Sequence, residues 1–286
     1  MPCEDWPVDL DEIALADPSF WDRPLVDRAT AFDLLRNDDP YRYFDLPSEV
    51  AEQFPQRGFH ALVRHADVVE ASRRPEEFCS GYGGTTAVDL PSSELTRYFG
   101  SMISMDDPLH KRLRAIVSAG FTPKRVRDLE DAVERIAVEV VDHLLETGPC
   151  DFVTEVASPL PLRIICEMMG VPEEHWGMVF EQSNIILGAQ DEEYQDETLD
   201  LGTQLFLAAS QLTEMMNGLV AERVDTPTDA LTSALVHAEV DGERLTHDEI
   251  ASFFILLVVA GNETTRNAIS CCLLYTSPRP RDATLS

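Results

Sequence analysis

The stretch Ile250-Ala251-Ser252-Phe253-Phe254-Ile255-Leu256-Leu257-Val258-Val259-Ala260-Gly261-Asn262-Glu263-Thr264-Thr265, continuing as Arg266-Asn267-Ala268-Ile269-Ser270, decides the fold. From Ile250 to Ala260 every residue except Ser252 is apolar, so a helix made from it is hydrophobic all round and therefore buried. The run is shorter than the roughly 20 apolar residues a membrane span needs. Gly261, Asn262, Glu263, Thr264 and Thr265 follow on the same predicted helix, which places a flexible point, an acid and two hydroxyls at core depth. Buried polar groups need partners or a function. This conflict between pattern and chemistry marks the expected active site. Upstream, Thr246 with Glu249 three residues later is a capping-box pattern and sets the helix start, with His247 exposed in the first turn.

Composition excludes several function classes. The 286 residues carry 52 Asp plus Glu against 22 Lys plus Arg, a formal charge of −30. Such a chain repels nucleic acid and anionic membranes, so neither DNA nor RNA is an expected partner. The cysteines, Cys3, Cys79, Cys150, Cys166, Cys271 and Cys272, show no C-x-x-C spacing and fit reduced thiols in a cytoplasm. The acidic start M-P-C-E-D-W lacks the basic flank and apolar core of a signal peptide. A cytoplasmic protein with a sizeable core and no membrane span is expected.

In chain order, residues 1–56 read as an irregular arm with one short helix around Asp27 to Arg36. Gly58 to Arg64 reads as a strand and Ala66 to Arg73 as a short helix. Residues 79–104 carry glycines without a nucleotide-binding pattern and read as a mobile loop. Helices are predicted over Asp128 to Thr147, Leu160 to Gly170, Glu174 to Leu187, Leu199 to Arg223 and Asp229 to Ala238. The acidic stretch Asp191 to Glu197 separates two of them as the hinge of a lid or as a surface connection, and Val240-Asp241-Gly242-Glu243 reads as a turn.

Before these lies Ser104-Met105-Asp106-Asp107-Pro108-Leu109-His110-Lys111-Arg112-Leu113-Arg114. Asp106 or Asp107 caps a helix that runs to Gly120. His110 and Arg114, four apart, share one face of it. Two cationic donors there suit a bound carboxylate, and a solvated basic face would read the same. Lys111, Arg112, Arg114, Lys124, Arg125 and Arg127 occur with no acid between them, a local positive patch suited to an acidic partner.

Ala260-Gly261-Asn262-Glu263-Thr264-Thr265 resembles the [A/G]-G-x-[D/E]-T-[T/S] motif of the cytochrome P-450 family, the haem-thiolate monooxygenases. D-D-P-L-H-K-R-L-R, followed by Gly120-Phe121-Thr122-Pro123, is similar to the family's haem-contacting helix and its continuation. The resemblance covers roughly Asp17 to Ser270. It implies a mainly α domain with a small N-terminal β-sheet, the N-terminal portion of the family fold through the long distal, oxygen-binding helix. It implies haem b as cofactor, O2 and a small apolar substrate as reactants, and a ferredoxin-type electron donor docked near Lys111 to Arg127. On this resemblance His110 and Arg114 bond the haem propionates, Ala260 and Gly261 line the cofactor, and Gly261 lets the helix deform. Thr264 turns its hydroxyl to the Ala260 carbonyl, which bends the helix and leaves a groove for dioxygen. Glu263 and Thr264 then deliver protons, with water, for cleavage of the O–O bond. Tyr82, Phe99, Met102, Ile103, Ile185 and Phe206 roof an apolar pocket. S-M-D-D-P-L-H and I-I-C-E-M-M-G-V-P look similar to strings in members that hydroxylate steroids or methyl-branched lipids.

The chain departs from the family pattern after this helix. Beyond this helix the chain holds no E-x-x-R helix and no F-x-x-G-x-x-x-C-x-G loop, so the cysteine that ligates iron is missing and no residue is assigned to the metal. Residues 1–271 therefore read as the N-terminal part of one domain. Residues 272–286 read as a non-native tail, because Cys272-Leu273-Leu274-Tyr275-Thr276-Ser277-Pro278 matches the translation of a sequencing-library transposase adapter. A fragment of this kind is expected to be inactive by itself. A non-catalytic helical lipid-binding or interaction protein is the alternative, and it leaves two ordered motifs as coincidence.

Overall fold

The computed structural model describes residues 9–52, 57–82, 101–188, 194 and 198–276. Predicted features in 83–100, most of 191–197 and 277–286 lie outside them, among them Phe99 and the end of the adapter-like tail. The chain divides into two compact units, residues 1–110 and 111–286.

In the first unit the strand at Gly58 and the helix after it are found as expected, whereas residues 1–56 carry more regular structure than the irregular arm with one short helix that their Asp- and Pro-rich sequence suggests. The unit contains α1 (Pro18–Trp21), α2 (Leu25–Asp38), β1 (Tyr43–Asp45), α3 (Ser48–Ala51), β2 (Gly58–His60) and α4 (His65–Ser72). The strands pair antiparallel with Phe44 opposite Phe59. A side chain at Gly58 would meet the Phe44 carbonyl oxygen at 2.1 Å, so only glycine fits this pairing. Ile13, Leu15, Phe20, Ala31, Leu35 and Phe44 form the buried cluster. Phe20 meets Trp21 edge to face at 5.2 Å, a geometry that adds to area burial.

The second unit is helical. It comprises α5 (Leu109–Gly120), which begins at the unit boundary, α6 (Pro123–Thr147), α7 (Pro159–Met169), α8 (Trp176–Leu187), α9 (Leu201–Asp225), α10 (Leu231–His237) and α11 (His247–Thr276). Helix ends follow local chemistry. Gly170 closes α7 at φ 73° in the left-handed region that favours glycine, and the Val171 N–H donates to the Cys166 carbonyl at 2.8 Å. Asp200 caps α9 through the Thr203 N–H at 3.0 Å. Asp241 and Gly242 supply the positive φ angles of the expected turn. α6 starts five residues before the predicted Asp128, at Pro123, whose fixed φ suits a first turn. Its apolar face is only partly covered among the described residues: Ile136 and Val140 are buried, whereas Val133, Val141 and Leu145 are exposed.

α11 packs against α7, α8 and α9. Its Ile250, Phe254 and Val258 are buried together with Met169, Val179, Leu212 and Met216 of those helices. The predicted capping box is formed: the Thr246 N–H donates to Glu249 Oε2 at 2.7 Å, and the Glu249 N–H to Thr246 Oγ1 at 3.2 Å. Glu249 Oε1 accepts from Arg112 Nη1 at 2.7 Å, while Arg112 also bonds Glu243 and, at 2.9 Å, the Arg244 carbonyl. These two carboxylates, Glu249 first, hold the Arg112 guanidinium above its usual pKa.

Thr246→Ala is expected to lower stability in urea unfolding by about 1 kcal/mol, the typical worth of an N-cap. Arg112→Met should cost more, because it leaves a partly buried carboxylate unpaired at the same helix end. A smaller loss for Arg112→Met than for Thr246→Ala would show that the clamp contributes little.

Candidate functional site

The phase set at Thr246 decides which motif residues face the core. Ile250, Phe254, Val258 and Asn262 follow one another at four-residue spacing, and all four are buried. Ala260, Thr264, Ala268 and Cys271 fall on the opposite side and are exposed. The expectation that the acid and both hydroxyls sit at core depth is therefore corrected. Thr264 and Thr265 are exposed, Glu263 is half-buried, and Asn262 alone of the motif's polar residues is fully buried. The α11 surface is also open on one side beyond Val259, unlike the all-round burial its apolar run suggests. Neither amide atom of Asn262 finds a partner among the described residues.

Thr264 Oγ1 donates to the Ala260 carbonyl at 2.8 Å, the bond expected from the motif. Glu263 reaches the other way along the helix. Its Oε1 accepts from Asn267 Nδ2 at 2.8 Å, and its Oε2 is paired with Arg266. Spacing of three and four residues is the signal by which these partners could have been found in the sequence. Gly261 stands where α11 meets α7: a Cβ there would lie 3.0 Å from Ile165 Cδ1. Close approach, with the helix unbroken through it, is the geometric reason for glycine here.

His110 and Arg114 lie four apart on α5 as expected, His110 half-buried and Arg114 exposed. His110 Nδ1 is 3.7 Å from Asp107 Oδ1, a contact that becomes an ion pair when the imidazole is protonated. The Asp106 carbonyl accepts from the His110 N–H at 3.0 Å at the entrance of α5, and its carboxylate accepts from the Ser80 and Gly81 N–H groups at 2.7 and 2.9 Å, tying the start of the loop to that entrance. Within the basic patch Arg112 is turned inward onto Glu243 and Glu249, whereas Lys111, Arg114, Lys124 and Arg127 are exposed. The side chain of Arg125 lies outside the described residues. Of the residues expected to roof a pocket, Tyr82, Ile103 and Phe206 are exposed, and Met102 and Ile185 are half-buried.

The cysteines divide by environment. Burial pushes the Cys166 thiol up to about 12, so it is no source of thiolate. Cys79, Cys150, Cys271 and Cys272 are exposed. Among the described residues no group of three or more His, Cys, Asp or Glu side chains is placed to hold a metal ion, and no helix is long and apolar enough to cross a membrane.

No family model matches the chain. It is 44% identical over 286 residues to the methyl-branched lipid omega-hydroxylase of Mycobacterium bovis, covering 96% of this chain and 64% of that protein. It is 34% identical over 249 residues to the steroid C26-monooxygenase of Mycolicibacterium smegmatis, covering 86% of this chain and 57% of that protein. A solved Mycobacterium marinum cytochrome P-450 in complex with pseudoionone superposes with a TM-score of 0.80 at 38% identity, covering 93% of this chain and 64% of that one. The chain thus spans 64% or less of these relatives' own length.

Gly261→Ala sets a gain in helix propensity of about 1 kcal/mol against crowding of Ile165. Ile165→Val is therefore expected to cost about 0.5 kcal/mol less in the Gly261→Ala background than in the wild type, read from a double-mutant cycle of urea unfolding. Additive effects would show that α7 yields freely.

Proposed function

We propose, from the premise that this chain belongs to the cytochrome P-450 family, that the full-length protein is a haem-dependent monooxygenase inserting one oxygen atom of O2 into an apolar substrate. The observation that carries this reading is the Thr264 hydroxyl on the Ala260 carbonyl, on the exposed side of a helix whose other side is core. A methyl-branched lipid or a steroid is the substrate class, supported by what the relatives from M. bovis and M. smegmatis are named for.

The residues present fit one side of a haem. Ala260 and Gly261 offer a surface without bulk, and the apolar run before them gives a substrate an apolar wall. His110 and Arg114 would hold the two carboxylates of haem b through charge-assisted hydrogen bonds. The iron's thiolate is not supplied here: Cys166 is buried as a thiol and the other described cysteines lie on the surface. When bound, the haem supplies the activation of dioxygen. Thr264 and Glu263 would move protons to the reacting face, Thr264 from Oγ1 and Glu263 from its carboxyl group, which positioned transfer can make worth about 10²–10⁴-fold in rate. Lys111, Lys124 and Arg127 present positive charge on an otherwise acidic chain, the field that would steer a ferredoxin-type donor. A cytoplasmic setting suits the free, uncrosslinked thiols.

Reduced carbon monoxide difference spectra test the reading. A full-length form should give the thiolate band, and the 286-residue chain alone should not. Replacing both His110 and Arg114 by Ala should weaken haem retention by about 10-fold or more, the loss of one to two charge-assisted bonds. Binding spectra with sterols and methyl-branched fatty acids then test the substrate class. A full-length form that takes up no haem would overturn the proposal, and one that binds haem but shifts with neither lipid class would overturn the substrate assignment.

A further inference from the structure

Every guanidinium nitrogen of Arg112 has a partner of its own. Nε bonds the Glu243 carboxylate, Nη1 donates to Glu249 Oε1 at 2.7 Å, and Nη2 donates to the Arg244 carbonyl at 2.9 Å. Glu243 and Arg244 lie in the connection before α11, and Glu249 in its first turn. A single hydrogen bond fixes one distance and leaves two helices free to slide and turn. A planar fork met by acceptors on different residues fixes position and orientation together. Just beyond the far end of α5, the Phe121 ring meets that of Phe253 on α11 edge to face at 6.3 Å. The α5 segment is thus fastened along α11 at two places. Helix phase says where the fastening leads. Phe253 follows Glu249 by four residues and Ala260 by eleven, about three turns or roughly 17 Å, so all three share one side of α11. The side on which α5 is held is therefore the side that opens at Ala260, which is exposed.

We infer that Arg112 is a positioning residue for the cofactor: it sets the register of α5 on α11, and with it the place at which Arg114 meets a haem carboxylate. This rests on the reading of Arg114 as a donor to that group. Leu113, Ile116, Val117 and Gly120 form the buried stripe of α5. Arg112 flanks the stripe on one side and Arg114 on the other, because two residues turn a helix by about 200°. The two stand only ~3 Å apart along the axis, so a displacement of α5 at Arg112 is carried to Arg114. Charge-assisted hydrogen bonds hold over a narrow range near 2.7–2.9 Å, and a misplacement of about 1 Å is enough to lose one. With its nitrogens turned onto Glu243, Arg244 and Glu249, Arg112 acts only through α5. A lysine at this position would keep the charge and lose the fork, so charge and geometry can be told apart.

Hydrogen exchange read by mass spectrometry on the 286-residue chain tests the clamp without any cofactor. Arg112→Lys is expected to speed exchange about tenfold in peptides covering Leu113 to Val117 and Ile250 to Phe254, the scale of one lost charge-assisted hydrogen bond. Unchanged rates overturn the proposal. Titration of the full-length apoprotein with haemin, followed by Soret absorbance, tests the consequence. Arg114→Ala and Arg112→Lys should each weaken haem binding about tenfold, and the double variant little more than either, because one acts through the other. Losses that multiply to about a hundredfold overturn the proposal, as does full affinity in Arg112→Lys. Arg135→Met, which breaks the pairs with Glu139 and Glu167, controls for general loss of stability. It should leave haem affinity within twofold of wild type, and an equal loss there overturns the assignment to Arg112. If Arg114→Ala holds haem as tightly as wild type, the reading of Arg114 fails and this proposal falls with it. Faster exchange in Arg112→Lys then marks that failure as one of the site and not of the clamp.

Discussion

The Glu249 carboxylate is divided between two duties: Oε2 closes the N-terminal cap of α11 with Thr246, and Oε1 holds Arg112 of α5. One side chain therefore fixes where the central helix starts and which helix its start is fastened to. The rest follows from geometry, because a helix advances about 100° per residue and its first residue sets the phase of all later ones. With this start, Phe254 and Val258 enter the core, and so does Asn262 one turn on. The same phase turns Ala260 and Thr264 outward. A start shifted by one residue would rotate the motif by about 100°, and in one direction it would bring Glu263, with its charge, to the buried place of Asn262.

This explains how much of the molecule was legible in the sequence. The cap at Thr246, the turn at Asp241-Gly242 and the end of α7 at Gly170 are local, and each was readable from residues a few places apart. The faces of α11 were not. A run in which nearly every residue is apolar has no amphipathic signal, so it conceals which side meets protein. Arg112 was misread as part of a free basic patch for a different reason: its partners Glu243 and Glu249 lie more than 130 positions away in sequence. β1 was missed because three residues are too few to show an alternation, and its pairing with β2 depends on chain brought in from Gly58–His60. At the site, Thr264 and its bond to Ala260 were foreseen, whereas the pairing of Glu263 with Arg266 and Asn267 was open to foresight from spacing alone and went unread.

Charge scarcity gives these pairings weight. With 22 basic residues against 52 acidic ones, a cation in this chain has many possible partners. The helical unit uses several in bridges between elements: Arg135 joins Glu139 and Glu167, and Arg163 joins Glu139 while stacking over Trp176 at 5.7 Å. Arg163 and Arg135, in that order, hold the Glu139 carboxyl below its usual pKa. Because that pKa is depressed in the fold, the stability it brings is present above the ordinary glutamate range and is lost as pH falls through the lowered value. Lys111, Arg114, Lys124 and Arg127 on α5 and α6 are exposed.

The motif at Ala260 to Thr265 lies where α11 passes from buried to open, and its residue types answer to that transition. Gly261 lets Ile165 approach to a distance that a Cβ would crowd, so the helix stays tightly held just before it becomes exposed. Asn262 is carried into the core by phase with no partner for its amide among the described residues, which costs free energy that a leucine would not. Among the described residues Glu263 and Thr264 are each satisfied by neighbours on the same helix. The tight contact and the unpaired amide thus fall on the packed side, and the self-contained hydrogen bonds on the open side. Side chains satisfied within their own helix can change partners without loosening the core.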